Sequence, residues 1–104
     1  MSNDSELGTL SYLINSVRRA LLGEVTPSLR GATARLAGDA AWCRFIYDSP
    51  ITPELSELVA DIETEIIADY SGLTPVTCTV EYVPVTVRLA LTEGEHWVFR
   101  RREN

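Results

Sequence analysis

The sequence predicts a single α+β domain, in which two helices pack on one face of a mainly antiparallel sheet of four or five strands. The chain has 104 residues and is 45% hydrophobic, which is enough for one buried core. Two stretches carry apolar residues at helical spacing, and the stretches that follow them alternate between apolar and polar residues. The domain is expected to span residues 1–104, with residues 1–8 flexible.

The first helix is predicted between Thr9 and Leu22. Thr9 suits the N-cap, because its hydroxyl can accept a hydrogen bond from a free main-chain N–H. Gly23 suits the residue that ends a helix in a left-handed conformation, and Pro27 then requires an extended exit. The apolar stripe consists of Leu10, Leu13, Ile14, Val17 and Leu21.

A β-hairpin is predicted around Gly38-Asp39, a two-residue loop that suits a type II′ turn or a neighbouring type with positive φ. Counting outward from this turn gives one apolar face and one mixed face. The apolar pairs are Leu36 with Ala41, Ala34 with Cys43 and Ala32 with Phe45, followed by Tyr47 opposite Arg30. The mixed pairs are Arg35 with Trp42, Thr33 with Arg44 and Gly31 with Ile46, which would leave Trp42 and Ile46 toward solvent.

The second helix is predicted from Pro53 to Tyr70. Thr52 can cap it, proline fits its first turn, and Glu54 complements the positive end of the helix dipole. Ser71-Gly72 should end it. The buried stripe is Leu55, Leu58, Val59, Ile62, Ile66 and Tyr70.

The remaining strands follow Pro75. The residues from Val76 to Tyr82 alternate, with Val76, Cys78, Val80 and Tyr82 on one face. Because Pro84 cannot donate to a sheet, Val85–Leu91 is either a strand with Val85, Val87, Leu89 and Leu91 inward or an irregular bend. A last strand at Trp97–Phe99 meets three arginines and should lie near an edge.

The net charge of −6 makes nucleic acid and anionic membrane surfaces poor partners and favours a basic protein. No run of about 18 apolar residues and no basic leader is present, so a soluble cytoplasmic protein is expected. His96 is the only histidine, and Cys43 and Cys78 lack metal-site spacing. Phosphate-binding and nucleophile-elbow motifs are absent as well, so we expect no cofactor, no metal and no catalytic site.

The densest polar feature is an acidic ridge on the second helix, formed by Glu57, Asp61, Glu65 and Asp69. Like charges four residues apart cost roughly 0.2–0.5 kcal/mol per pair, so three successive pairs disfavour the isolated helix by about 1 kcal/mol. Arginines from elsewhere in the fold, solvation of an exposed face, or a basic partner could offset this cost. We therefore predict the ridge as a candidate partner-binding surface.

Arg35 and Trp42 form a second candidate partner-binding surface. Their cross-strand position suits a cation–π contact, and both residue types are favoured anchors at interfaces. A homo-oligomer that pairs sheet faces through Trp42 and Ile46 is one alternative. A small-molecule binding or minor enzymatic domain that uses Tyr47, Tyr82 or Cys43 is another.

The segment Ala20–Pro27, with the sequence Ala-Leu-Leu-Gly-Glu-Val-Thr-Pro, resembles a family of small, uncharacterised bacterial stand-alone proteins. The resemblance extends to Arg44–Asp48, Glu63–Asp69 and Trp97–Arg100. Some proteins of this kind are associated with toxin–immunity loci, and the resemblance carries no catalytic residues. It implies a bacterial cytosolic protein and leaves the function open. The first function hypothesis, drawn from the charges, is a non-enzymatic interaction module of immunity type, whose acidic helix neutralises a basic bacterial toxin.

Overall fold

The computed structural model describes residues 8–71 and 74–103. The segment predicted to be flexible therefore lies, apart from Gly8, outside the described residues, as does Gly72 at the predicted end of the second helix. The elements in chain order are α1 (Leu10–Ala20), β1 (Leu29–Ala37), β2 (Ala40–Tyr47), α2 (Pro53–Asp69), β3 (Val76–Tyr82) and β4 (His96–Arg100). The predicted α+β class is confirmed.

The four strands form one sheet in the order β3-β2-β1-β4. β1 pairs antiparallel with β2 and with β4, whereas β2 and β3 are parallel and α2 connects them. Both helices contribute to a single core on one face of the sheet, with α1 against β1 and β4 and α2 against β3. We call the other side of the sheet the open face.

Local polar contacts and turns set the ends of the helices. The Thr9 hydroxyl accepts from the Tyr12 N–H at 3.1 Å, and Thr52 accepts from Leu55 at 3.2 Å, so both predicted N-caps are confirmed. α1 ends before Gly23, which has φ of +79°. After α2, Ser71 adopts a positive φ of +55°.

The predicted hairpin register is confirmed from Gly31 to the turn, where Gly38 has φ of +64°. The predicted pairing of Tyr47 with Arg30 is wrong. Tyr47 pairs with Leu29, because a β-bulge shifts the register between Leu29 and Gly31. Arg30 thus becomes the extra residue, and its buried guanidinium donates to three main-chain carbonyls, those of Val83, Pro84 and Val87.

The stretch Val85–Leu91 is not a strand, so the alternative of an irregular bend is correct. Residues 83–95, here called the covering segment, are held over the open face by hydrogen bonds from two arginines. Arg30 donates to the Val87 carbonyl, and Arg44 donates to the Ala90 carbonyl at 3.0 Å. Leu89 is buried, but Val85, Val87 and Leu91 are exposed and do not point inward as a strand would require. Once its carbonyls are bound by arginines, this segment needs no sheet partner.

Two further burial predictions are wrong. Ile46 was expected to face solvent, but only 1% of it is exposed, so the open face is not solvent-exposed at this position. Tyr82 was expected on the buried face of β3, but it is 47% exposed. It is the last residue of an edge strand and has no further strand beside it.

Candidate protein-interaction surface

One side of α2 is buried and the other presents carboxylates. Val59, Ile62 and Ile66 pack into the core. The helical period then turns Glu57, Asp61 and Glu65 outward, where all three are exposed at successive i, i+4 positions. Three members of the predicted acidic ridge therefore share one solvent-exposed stripe.

Asp69, the fourth member of the ridge, is bound to α1 instead. Its carboxylate accepts hydrogen bonds from the Ser16 hydroxyl and from Arg19, the latter at 2.9 Å. The Tyr12 hydroxyl also donates to the main-chain carbonyl of Asp69 at 2.7 Å. Asp69 joins the two helices, so the free part of the ridge ends at Glu65.

Within residues 8–71 and 74–103, no hydrogen bond or ion pair engages the carboxylates of Glu57, Asp61 or Glu65. Asp69 is the one residue of the predicted ridge that an arginine neutralises. An intramolecular arginine is thus ruled out as the offset for the other three charges in this part of the chain.

Other arginines pair with acidic residues outside α2. Arg44 bonds Glu95 at 2.6 Å and Glu81 at 3.1 Å, and Arg101 bonds Asp48 at 2.8 Å. Burial alone would raise the pKa of Glu95, but hydrogen bonds from Arg44, Thr92 and Thr33 outweigh it and lower the pKa to about 2. These ion pairs hold segments of the fold together and are a structural feature.

Sequence reasoning missed these ion pairs. The predicted pairing of Thr33 with Arg44 indicated a polar strip on the open face, but Glu95 is remote in sequence. The Arg30–Glu103 pair was missed for the same reason; its hydrogen bonds of 2.8 Å lower the pKa of Glu103 to about 2.

Trp42 and Arg35 contact each other as predicted, with the guanidinium carbon 5.5 Å from the centroid of the indole ring. Trp42 is 41% exposed. Both residues belong to the open face, whereas the acidic ridge lies on the helix layer at the other side of the sheet. The structure therefore separates the two predicted binding surfaces.

The residues of the small-molecule alternative do not form a pocket together. Cys43 and Tyr47 are buried in the core, and Tyr82 is exposed at the sheet edge. A groove of about 310 Å³ does lie beside the ridge, lined by Ser16, Arg19, Ala20, Glu65, Ala68 and Asp69. None of Cys43, Tyr47 and Tyr82 lines this groove. The described residues contain no group of three or more histidine, cysteine or acidic side chains placed to hold a metal ion.

Comparison with known families gives this surface a context. The model of the MafI2 immunity protein family matches residues 11–103, from the first turn of α1 to beyond β4. The chain belongs to the MafI2 immunity protein family. Membership supports an immunity-type role, in which the chain binds another protein.

Other comparisons add little. No curated protein matches the chain. Among solved structures, a zinc form of a MamM CTD variant is 20% identical over 71% of this chain and 86% of that one, with a TM-score of 0.44. The copper form of the MamM CTD is 17% identical over 77% and 92%, with a TM-score of 0.45. At these values the likeness supports no inference about this MafI2 family member. None of its described helices is both long and apolar enough to span a membrane.

Proposed function

We propose that this MafI2 family member is a non-enzymatic, cytoplasmic immunity protein, which neutralises a basic toxin by covering it with Glu57, Asp61 and Glu65. The observation that carries the proposal is that these three exposed carboxylates have no cationic partner in the described part of the chain. Family membership indicates that the partner is a protein, and the negative charge of the ridge indicates that the partner's surface is basic.

Electrostatics explains how such a ridge works. Three like charges on one stripe produce a negative potential that extends beyond the protein surface and attracts a basic cleft before contact. Complementary charges of this kind mainly raise the association rate, and added salt screens them. The ridge would therefore set how fast the toxin is captured, and apolar contacts around it would set how long it is held.

The groove beside the ridge gives the proposed interface a shape. Glu65 lines this groove together with Asp69, whose charge is already matched by Arg19. An arginine or lysine of the partner that entered the groove would meet the free Glu65 carboxylate. We propose Glu65 as the central contact, with Asp61 and Glu57 extending the surface along α2.

The test begins with the partner. The chain is used as bait in its native host, the captured toxin is purified, and association rates are measured at several salt concentrations. We expect the double variant Asp61→Lys and Glu65→Lys to slow association about tenfold or more at low salt, and the difference to shrink as salt increases.

A matched control carries the same change in net charge elsewhere. Glu24 and Glu93 are exposed acids outside α2, so Glu24→Lys with Glu93→Lys should leave the association rate close to that of the wild type. Equal effects of the two double variants would mean that net charge, and not the ridge, controls binding. An unchanged rate for the Asp61 and Glu65 variant would refute the ridge.

Trp42 and Arg35 remain the competing surface. A typical interface covers about 800 Å² of each partner, and the two surfaces lie on opposite sides of the sheet. One compact toxin surface would therefore cover one of them. If Trp42→Ala weakens binding while the ridge variants do not, the open face is the binding surface.

A further inference from the structure

The two cysteines of the chain, far apart in sequence, are neighbours in the sheet. Cys43 on β2 pairs directly with Cys78 on the parallel strand β3. Both are free thiols; Cys43 is buried, and Cys78 is half-buried on an edge strand. The β2–α2–β3 connection has therefore placed one half-buried cysteine beside one fully buried cysteine.

The geometry of this pair suits a covalent link. Neighbouring strands lie about 4.8 Å apart, and disulfide-bonded residues have Cα atoms roughly 4.4–6.8 Å apart. Residues in register on paired strands project to the same face, and Cys78 packs against the core to which Cys43 belongs. Contact with Cys43, together with burial, raises the pKa of the Cys78 thiol, as expected for two adjacent sulfur atoms.

We propose that Cys43 and Cys78 form an oxidation site, which closes to an intramolecular disulfide when a peroxide reaches the chain. The Cys78 thiol loses its proton and attacks one peroxide oxygen; the O–O bond breaks, and the leaving hydroxide takes that proton to form water. Cys78 is then a sulfenic acid.

The second step uses the buried thiol. The Cys43 sulfur attacks the Cys78 sulfur, the S–O bond breaks, and the departing hydroxide takes the Cys43 proton to form a second water. Two thiols lose two electrons, and hydrogen peroxide gains them. Because the thiolate is the reactive form and the pKa of Cys78 is raised, the rate should increase with pH.

The bond would tie the edge strand β3 to the centre of the sheet and close a loop that contains all of α2. This inference does not rest on the toxin partner proposed above. It concerns the helix that carries the acidic ridge, so an oxidised chain would hold that helix between two cross-linked strands.

The test uses the reduced full chain and hydrogen peroxide. After treatment under native conditions, the protein is denatured and alkylated with iodoacetamide, and its mass is measured by mass spectrometry. We expect a monomer that has lost two hydrogens and carries no alkyl group, and whose tryptic peptides Leu36–Arg44 and Phe45–Arg88 are joined until a reductant is added.

Cys78→Ser is the control, with Cys78→Ala as a second variant and circular dichroism as the check on folding. Neither variant should lose two hydrogens within one chain. If the wild type treated with peroxide in its native state still carried two alkylated thiols, the proposal would be overturned. It would equally fail if the disulfide joined two chains, or if it formed only in the denatured protein.

Discussion

The Arg44 guanidinium binds the Glu95 carboxylate through two hydrogen bonds, of 2.6 and 2.7 Å, across the face of the sheet that the helices leave open. Only 5% of the Glu95 side chain is exposed. Glu95 also accepts from the Thr33 hydroxyl and from the Thr92 N–H. This carboxylate thus connects the covering segment to β1 and β2.

Replacing Glu95 should be costly. Glu95→Ala leaves the half-buried Arg44 with Glu81 as its remaining acidic partner and removes the acceptor of Thr33. Losing one member of a buried charged pair costs about 3 kcal/mol. We expect a loss of about that size in the free energy of unfolding, measured with urea. Glu93→Ala, at an exposed neighbour, should change it by less than about 0.5 kcal/mol.

The same carboxylate predicts an acid dependence. The pKa of Glu95 is lowered to about 2 in the folded chain, below the usual value of 4.5 for a glutamate. A lowered folded-state pKa stabilises the fold above the unfolded-state pKa, and this stabilisation is lost as the pH falls from about 4.5 toward 2. Urea unfolding at pH 6, 4 and 3 should show the loss, and Glu95→Gln should lose less over that range. If the free energy of unfolding fell by the same amount in the wild type and in Glu95→Gln, the acid dependence would not come from Glu95.

Asp61 and Asp69 should respond in opposite directions to the same substitution. Asp61→Asn relieves repulsion from Glu57 and Glu65 and should stabilise the fold by about 0.5 kcal/mol. Asp69→Asn weakens the contacts with Ser16 and Arg19 that join the helices, and should destabilise it by about 1 kcal/mol. Thermal unfolding of the two variants checks this. Destabilisation by Asp61→Asn would mean that Asp61 has a structural role.

Gly31 should not tolerate a side chain. A Cβ atom there would lie 2.6 Å from Cζ3 of the half-buried Trp97 ring and 3.4 Å from the Phe99 carbonyl oxygen. Gly31→Ala should therefore cost about 1–3 kcal/mol in the free energy of unfolding. Adding Trp97→Leu should recover part of this cost, since the clash disappears. A double-mutant cycle in denaturant measures the coupling, and strict additivity would contradict the packing described.

Sequence reasoning succeeded where the deciding forces are local. Thr9 and Thr52 cap helices through contacts three residues away, and the hairpin register follows from a turn at Gly38 with alternation on both sides. It failed at Arg30 and Ile46, and it left Val85–Leu91 open between a strand and a bend. The contacts that hold this segment join Arg30 to main-chain carbonyls more than 50 residues away, which local sequence patterns do not show.

The features of the candidate site also fall into those that local sequence determines and those that tertiary contacts determine. By itself, the sequence determined that Glu57, Asp61 and Glu65 share one face of a helix, since the period of α2 requires it. Only the tertiary structure decided that Asp69 forms an ion pair with Arg19 and is therefore not a free acid of the ridge. It also decided that Trp42 lies on the opposite side of the sheet from the ridge, and that Cys43 pairs with Cys78. The physical reason is that helix periodicity acts over four residues, whereas these contacts form only when distant segments pack around a common core.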